Sequence, residues 1–261
     1  MLNLEDAIGL KVLLNDDNTL EFDDSVEVEK ISARKFSDLA TVVADESVQL
    51  SDEPAYLMYR NVRLATDEEV LRSNNIRFDL TVIPPAMIGD EFVKTSGHYH
   101  PMRPGTDVAY PELYYVVAGQ ATYLMQKRDE VGNIVDVLLC RVRAGEAIVM
   151  PPDYGHVTVN ELSETLVMAN WVSNSFQSIY SDYENLRGAS FYIAKSSGYS
   201  SVLKNPLYEA PEYARVETNP VFVNDLKEAS IYSYKDKISY LDFLNNPENH
   251  ADDLKKNRLF V

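Results

Sequence analysis

Cysteine is almost missing from this 261-residue chain: a single residue, Cys140, excludes an internal disulfide and fits a reducing compartment. It lies in the apolar run Val135-Asp-Val-Leu-Leu-Cys140 with no His or Lys close by in sequence, so a buried, unreactive thiol is expected. No stretch has the roughly 18 to 20 consecutive apolar residues of a membrane-spanning helix, and Met1-Leu-Asn-Leu-Glu-Asp6 lacks the basic-then-apolar pattern of an export signal, so a cytoplasmic protein is expected. Cations are in deficit. Against 41 Asp and Glu stand 24 Lys and Arg, a formal charge of -17, which argues against nucleic acid or an anionic membrane surface as partner. An anionic small molecule must then be captured by a local site, while the total charge is explained by solubility. With 45% hydrophobic and 25% charged residues, the chain has enough apolar material for a sizeable core.

Residues 1–75 read as an N-terminal extension. Leu10-Lys-Val-Leu-Leu14, the turn Asn15-Asp-Asp-Asn18 and Thr19-Leu-Glu-Phe22 predict a hairpin; Ser37-Asp-Leu-Ala-Thr-Val-Val-Ala44 predicts a short helix, and Ala55 to Val62 a strand. Residues 76–206 are a succession of short β-type runs cut by Gly and Pro, the pattern of a barrel or sandwich. The runs span 76–83, 113–117, 121–126, 134–142, 147–150, 157–159 and 165–171, with turns at Gly119 and at Asp129 to Asn133. Residues 207–261 are Tyr-rich and charged, with a helix candidate at Ile238-Ser-Tyr-Leu-Asp-Phe-Leu244, and read as a C-terminal appendage.

Histidine is scarce as well, four in all, and three of them fall in one pattern: His98-Tyr99-His100, then Glu112, then His156. Side chains alternate faces along extended backbone, so imidazoles at i and i+2 point the same way, as two ligands of one ion must. Imidazole with one carboxylate suits Fe, Mn, Ni, Co or Zn. A lone His-x-His is weak evidence, but Glu112 precedes Gly119 across six residues, and a second block runs Gly145, five residues, Pro151-Pro152-Asp153, two residues, His156, three residues, Asn160. This resembles the two-motif signature of the cupin superfamily. Departures are local: Asp153 replaces a Gly, Phe92 stands where the first motif has its leading Gly, and eleven residues, Pro101 to Pro111, separate His100 from Glu112 where three or four are usual. That insertion, rich in Pro and Gly, is expected to loop over the mouth of the site.

The run Thr81-Val-Ile-Pro-Pro-Ala-Met-Ile-Gly-Asp-Glu-Phe-Val-Lys-Thr-Ser-Gly-His-Tyr-His100, with Glu112-Leu-Tyr114, Pro151-Pro152 to His156 and Thr158-Val-Asn160, is similar to the archaeal-type, cupin-fold glucose-6-phosphate isomerases. The similarity extends from about residue 10 to about residue 206. It implies an all-β cupin barrel (double-stranded β-helix, or jelly roll) and interconversion of glucose 6-phosphate and fructose 6-phosphate at one divalent metal per chain, often iron, in a homodimer. Carried over by position, His98, His100, Glu112 and His156 are the ligands, Thr81, Thr95 and Gly97 lie near the substrate phosphate, Tyr114 faces the sugar, and Tyr180 matches a second Tyr. A family His corresponds to Ser178 or Gln177, and a phosphate-side Tyr to Trp171 or Val172.

Aldose–ketose isomerisation moves hydrogen between C1 and C2 while charge develops on their oxygens, and a chelated cation would stabilise that charge. Glu112 would either shuttle a proton through an enediol or only ligate during a hydride shift. Phosphate capture by Thr81, Thr95 and Gly97 would use hydroxyls and backbone N–H groups and needs no basic patch. Lys94, on alternation, points opposite to Thr95 and away from the interior. Read one by one, Tyr114, Tyr115 and Tyr123 are ordinary barrel filling, Thr81 and Thr95 ordinary strand residues, Trp171 a core residue or else a pocket wall, and His250 a surface residue. Two alternatives stay open: another metal cupin, acting on a different phosphosugar or as an iron dioxygenase, and a sugar-binding cupin without turnover.

Overall fold

Runs of β-branched and aromatic residues form the strands, and the turns fall at the Gly, Pro, Asn and Asp positions between them. The computed structural model describes residues 1–209, 211, 213–217 and 230–256. An N-terminal meander comprises β1 (Leu2–Asn3), β2 (Val12–Leu14) and β3 (Leu20–Phe22), with α1 (Glu5–Ile8) between the first two. The long antiparallel pair β4 (Val26–Lys35) and β5 (Pro54–Leu64) encloses a 3-10 helix, Ser37–Val42, and α2 (Glu68–Ser73) leads on to β6 (Ile76–Ile83). Next come β7 (Met87–Ile88), β8 (Glu91–Phe92), β9 (Glu112–Ala118), β10 (Gln120–Arg128), β11 (Ile134–Arg143), β12 (Ala147–Met150), β13 (Tyr154–Val159) and β14 (Leu166–Ser173). After α3 (Ser181–Asn185), the strands β15 (Phe191–Ser196), β16 (Tyr199–Lys204) and β17 (Arg215–Glu217) follow, and α4 (Ala251–Lys256) ends the described chain.

A six-stranded sheet in the order β12-β9-β14-β6-β5-β4 and a four-stranded sheet, β13-β10-β11-β17, make the cupin barrel. The alternation of the strands sorts their side chains into two cores. Tyr114, Val116, Ile148 and Met168 point into the barrel, whereas Leu113, Tyr115, Phe78, Leu80 and Trp171 point outward from the large sheet. Both faces are therefore buried, and every residue of β14 is buried. Such strands read as continuous apolar runs rather than as alternating ones.

The outer face is covered partly by the N-terminal meander and partly by the C-terminal segment. A 3-10 helix, Ile231–Leu244, broken at Lys237, contains the predicted helix at 238–244. Tyr232 stacks on Trp171 with ring centroids 5.9 Å apart, Phe78 sits 4.8 Å from Trp171, and the indole Nε1 donates to the Ile231 carbonyl at 2.9 Å. Trp171 is thus core, with its one polar atom satisfied.

Two elements escape the sequence pattern. The strand β4, Val26-Glu-Val-Glu-Lys-Ile-Ser-Ala-Arg-Lys35, is an edge strand exposed on much of its length, so it carries charges where a buried strand carries Val and Leu. The β15–β16 hairpin is half solvated for the same reason. His250 is not free on the surface but half-buried, 2.9 Å from the Asp242 carboxylate, because the turn after the 3-10 helix folds back on it.

Candidate metal centre

The two motif segments are stitched together by backbone. His98 N–H donates to the His156 carbonyl at 3.2 Å and His156 N–H donates to the His98 carbonyl at 3.0 Å. Gly97 makes the approach possible. Its φ is +75°, and a Cβ there would lie 2.5 Å from Val157 Cγ2 and 2.6 Å from the Tyr183 ring. From this extended stretch His98 and His100 project to one side, β13 contributes His156, and Glu112 is the first residue of β9.

The four ligand atoms lie within 4.8 Å of one another. His98 Nε2 is 3.1 Å from His100 Nε2, and Glu112 Oε2 is 3.4 Å from His100 Nε2 and 3.5 Å from His156 Nε2. His100 Nδ1 faces the Tyr110 carbonyl at 2.8 Å, so the proton belongs on Nδ1 and the Nε2 lone pair faces its neighbours. Both ring nitrogens of the buried His156 lack a hydrogen-bond partner, a costly arrangement for polar atoms inside a protein. Burial first, then the neighbouring imidazoles and Arg60 and Arg77, hold His98 well below its ordinary range, and burial with His100 brings His156 down to about 3. Burial opposes ionisation of Glu112, yet its neighbours His100, His156 and Arg77 keep it below the usual carboxylate value. Neutral imidazoles with free lone pairs beside one ionised carboxylate are the donor set a divalent cation takes, so the residues fit such an ion.

A second layer fixes the first. Asn170 Nδ2 donates to Glu112 Oε1 at 2.7 Å, both groups being buried, which leaves Oε2 for the cluster. Phe176 packs on His100 at 4.5 Å and stacks on Tyr110 at 4.8 Å. The Pro101–Pro111 insertion is pinned rather than loose: Met102 pairs with Ala109, and Arg103 binds the Asn245 carbonyl at 2.7 Å and the Glu248 carboxylate at 3.1 Å, both on the C-terminal segment.

Thr81, Thr95, Gly97, Tyr114 and Tyr180 all line the cavity that holds the four ligands, and so do Val172 and Ser178; Trp171 and Gln177 do not. Thr95 Oγ1 accepts the Thr158 N–H at 3.0 Å, which leaves its own proton to donate. Burial and the nearby Glu112 charge keep the Tyr114 phenol well above its ordinary value, so it stays protonated and neutral. Tyr180 has its ring centroid 5.4 Å from that of His98, and the Arg34 guanidinium lies 5.8 Å from the Tyr180 ring centroid. Lys94 turns away into a buried ion pair with Glu91, Tyr123 donates to Met168 Sδ inside the barrel, and Cys140 is buried.

Sequence reasoning missed Arg60 and Arg77, which also line the cavity. Both bind the fully buried Asp79, Arg60 Nη1 at 2.7 Å and Arg77 Nε at 2.9 Å from the same Oδ2. The signal was present in Arg77-Phe-Asp79-Leu-Thr81, which puts a cation, an anion and a hydroxyl on the barrel-facing side of β6. An anion entering this cavity therefore meets fixed cations as well as hydroxyls. Asn170 is the other omission, one polar residue in the apolar run of β14.

A family model described as glucose-6-phosphate isomerase matches residues 33–208. Over 187 residues the chain is 28% identical to the glucose-6-phosphate isomerase of Thermococcus onnurineus (strain NA1), a match covering 68% of this chain and 87% of that protein. Over 196 residues it is 26% identical to the glucose-6-phosphate isomerase of Pyrococcus furiosus, covering 70% and 91%. Among solved structures, an oxalate decarboxylase from Bacillus subtilis is similar over 48% of this chain and 27% of its own, at 18% identity and a TM-score of 0.33.

Proposed function

The chain belongs to the glucose-6-phosphate isomerase family, and from that premise we propose that it interconverts glucose 6-phosphate and fructose 6-phosphate at a divalent metal held by His98, His100, Glu112 and His156. The observation that carries this reading is the convergence of three imidazoles and one carboxylate, two of whose nitrogens have no other partner, in the wall of a polar cavity. A divalent ion held there, iron first and otherwise Mn, Ni, Co or Zn, would supply positive charge to sugar oxygens that become negative during isomerisation.

The chain's own groups do the rest. Asn170 orients Glu112, whose ionised carboxylate is able to ligate or to accept a proton at Oε2. Tyr114 offers a neutral phenol to a sugar hydroxyl. The hydroxyls of Thr81 and Thr95 and the Gly97 backbone hold the phosphorylated end, Tyr180 is a second tyrosine for the substrate, and Met58, Met168, Val172 and Phe176 supply apolar wall that excludes water. A cytoplasmic homodimer acting on a small sugar phosphate completes the reading; among the described residues no helix is long and apolar enough to cross a membrane.

The test combines metal analysis of the purified protein with a coupled assay of fructose 6-phosphate conversion, in wild type and His156→Ala. The expected result is about one metal per chain and turnover in wild type, with both lost in the variant. Stoichiometric metal without turnover refutes the isomerase and spares the site; absence of metal after reconstitution refutes both.

A further inference from the structure

We propose that Arg60 and Arg77, braced by the buried Asp79, add the charged contacts by which this cavity, beside the hydroxyls of Thr81 and Thr95, recognises a phosphate monoester, and so determine its preference for phosphorylated over neutral sugars. The proposal rests on the sugar-phosphate reading above and goes beyond it by assigning the anion to a pair of guanidiniums.

Placing charge on the inner face of a barrel is costly unless each charge is paired. Here one carboxylate serves two guanidiniums with both oxygens engaged: Asp79 Oδ2 accepts from Arg60 and Arg77, while Oδ1 accepts the Asn61 N–H at 2.8 Å. The group as a whole keeps one net positive charge. A purely structural role for Asp79 would need a single arginine. The second is surplus to it and stands in a chain whose net charge is -17.

Position points the same way. Arg60 and Arg77 lie on the adjacent strands β5 and β6, on the faces that also carry Met58 and Thr81 into the cavity. Their side chains retain 33% and 26% of their accessible surface, against none for Asp79, so the carboxylate is sealed while both arginine side chains stay partly accessible. Each guanidinium carries five N–H donors. Arg60 spends one on Asp79 and another on the weakly accepting Met58 Sδ, and Arg77 spends one on Asp79 and one on Asn174 Oδ1. The remaining donors form a planar fork of the kind that binds phosphate oxygens bidentately, and Asp79 holds it in place before the ligand arrives. Thr81, two residues from Asp79 on the same face of β6, adds a hydroxyl beside the pair.

The test uses the metal-reconstituted full chain with Arg77→Met, Arg77→Lys and Arg60→Lys; the lysine variants keep a cation beside Asp79 should the methionine variant fail to fold. For each, KM and kcat for fructose 6-phosphate are measured, with inhibition constants for inorganic phosphate and for a neutral hexitol. Losing a charge-assisted bidentate contact should raise both KM and the phosphate inhibition constant by about 10- to 100-fold for Arg77→Met. The lysine variants should fall between, and the hexitol constant should not follow. Unchanged phosphate inhibition in a folded variant overturns the assignment, as does equal weakening of phosphate and hexitol. Should wild type turn over no fructose 6-phosphate, the isomerase reading fails on that result alone. Calorimetric titration of inorganic phosphate into wild type and Arg77→Met then decides the arginine assignment.

Discussion

The substitution Asn170→Leu tests whether Glu112 is a ligand held from behind. The side chains are close in volume, so the change removes one hydrogen bond with little repacking. The bond in question, 2.7 Å from Asn170 Nδ2 to Glu112 Oε1, joins two buried groups, one of them charged. Hydrogen bonds to charged groups contribute about 1.5–3 kcal/mol. Loss of an outer partner of a metal ligand typically lowers affinity by about 10- to 100-fold, which at about 1.4 kcal/mol per decade is the same range. The assay is a competition titration of Co2+ or Mn2+ against a chromophoric chelator, with near-ultraviolet circular dichroism as a check on the fold. The coupling is isolated by repeating Asn170→Leu in a Glu112→Ala background, where the loss should vanish because the group it acts through is gone. A folded Asn170→Leu protein with wild-type metal affinity would refute the reasoning, and so would an undiminished loss in the Glu112→Ala background.

Gly97→Ala places a Cβ 2.5 Å from Val157 at φ +75°, so we expect a loss of more than about 1 kcal/mol in denaturant unfolding and a weakened metal site, as the His98–His156 bridge is pushed apart. Arg103→Ala should free the insertion from the C-terminal segment, speed amide exchange across 101–111 and lower metal affinity by about 2- to 10-fold through the Tyr110 carbonyl that orients His100; unchanged affinity would show that the loop does not hold the ligand. Burial opposes the charge on Glu161, but hydrogen bonds from Ser200, Thr122 and Arg141 outweigh it and depress its folded pKa. Its contribution is therefore complete above the unfolded value of about 4.3 and fades as pH falls through the folded value, so Glu161→Gln should be less stable than wild type at pH 7 and converge with it in strongly acidic melts.

Barrel strands were legible because their solvent-free faces demand apolar residues. The edge strand β4 and the β15–β16 hairpin were not, since solvated faces tolerate Glu, Lys and Ser and leave no periodic signature. Alternation sufficed to aim His98 and His100 to one side even though they belong to an irregular extended stretch joined to its neighbours by single bridges. The insertion was visible as Pro and Gly between His100 and Glu112, but its anchor, Arg103 on Asn245 and Glu248, joins residues more than a hundred positions apart.

By itself the sequence determined which side chains converge: three of the four histidines and one glutamate stand at spacings that suit a shared ion on extended backbone, because side-chain direction along a strand is a local property. Tertiary structure alone decided what surrounds that centre. Asn170 behind Glu112 and Arg60 reaching across to Asp79 are contacts between separate strands, 58 and 19 positions apart in the chain. No local pattern encodes them, since they arise from the register in which β5, β6, β9 and β14 pair and from the face each strand turns inward.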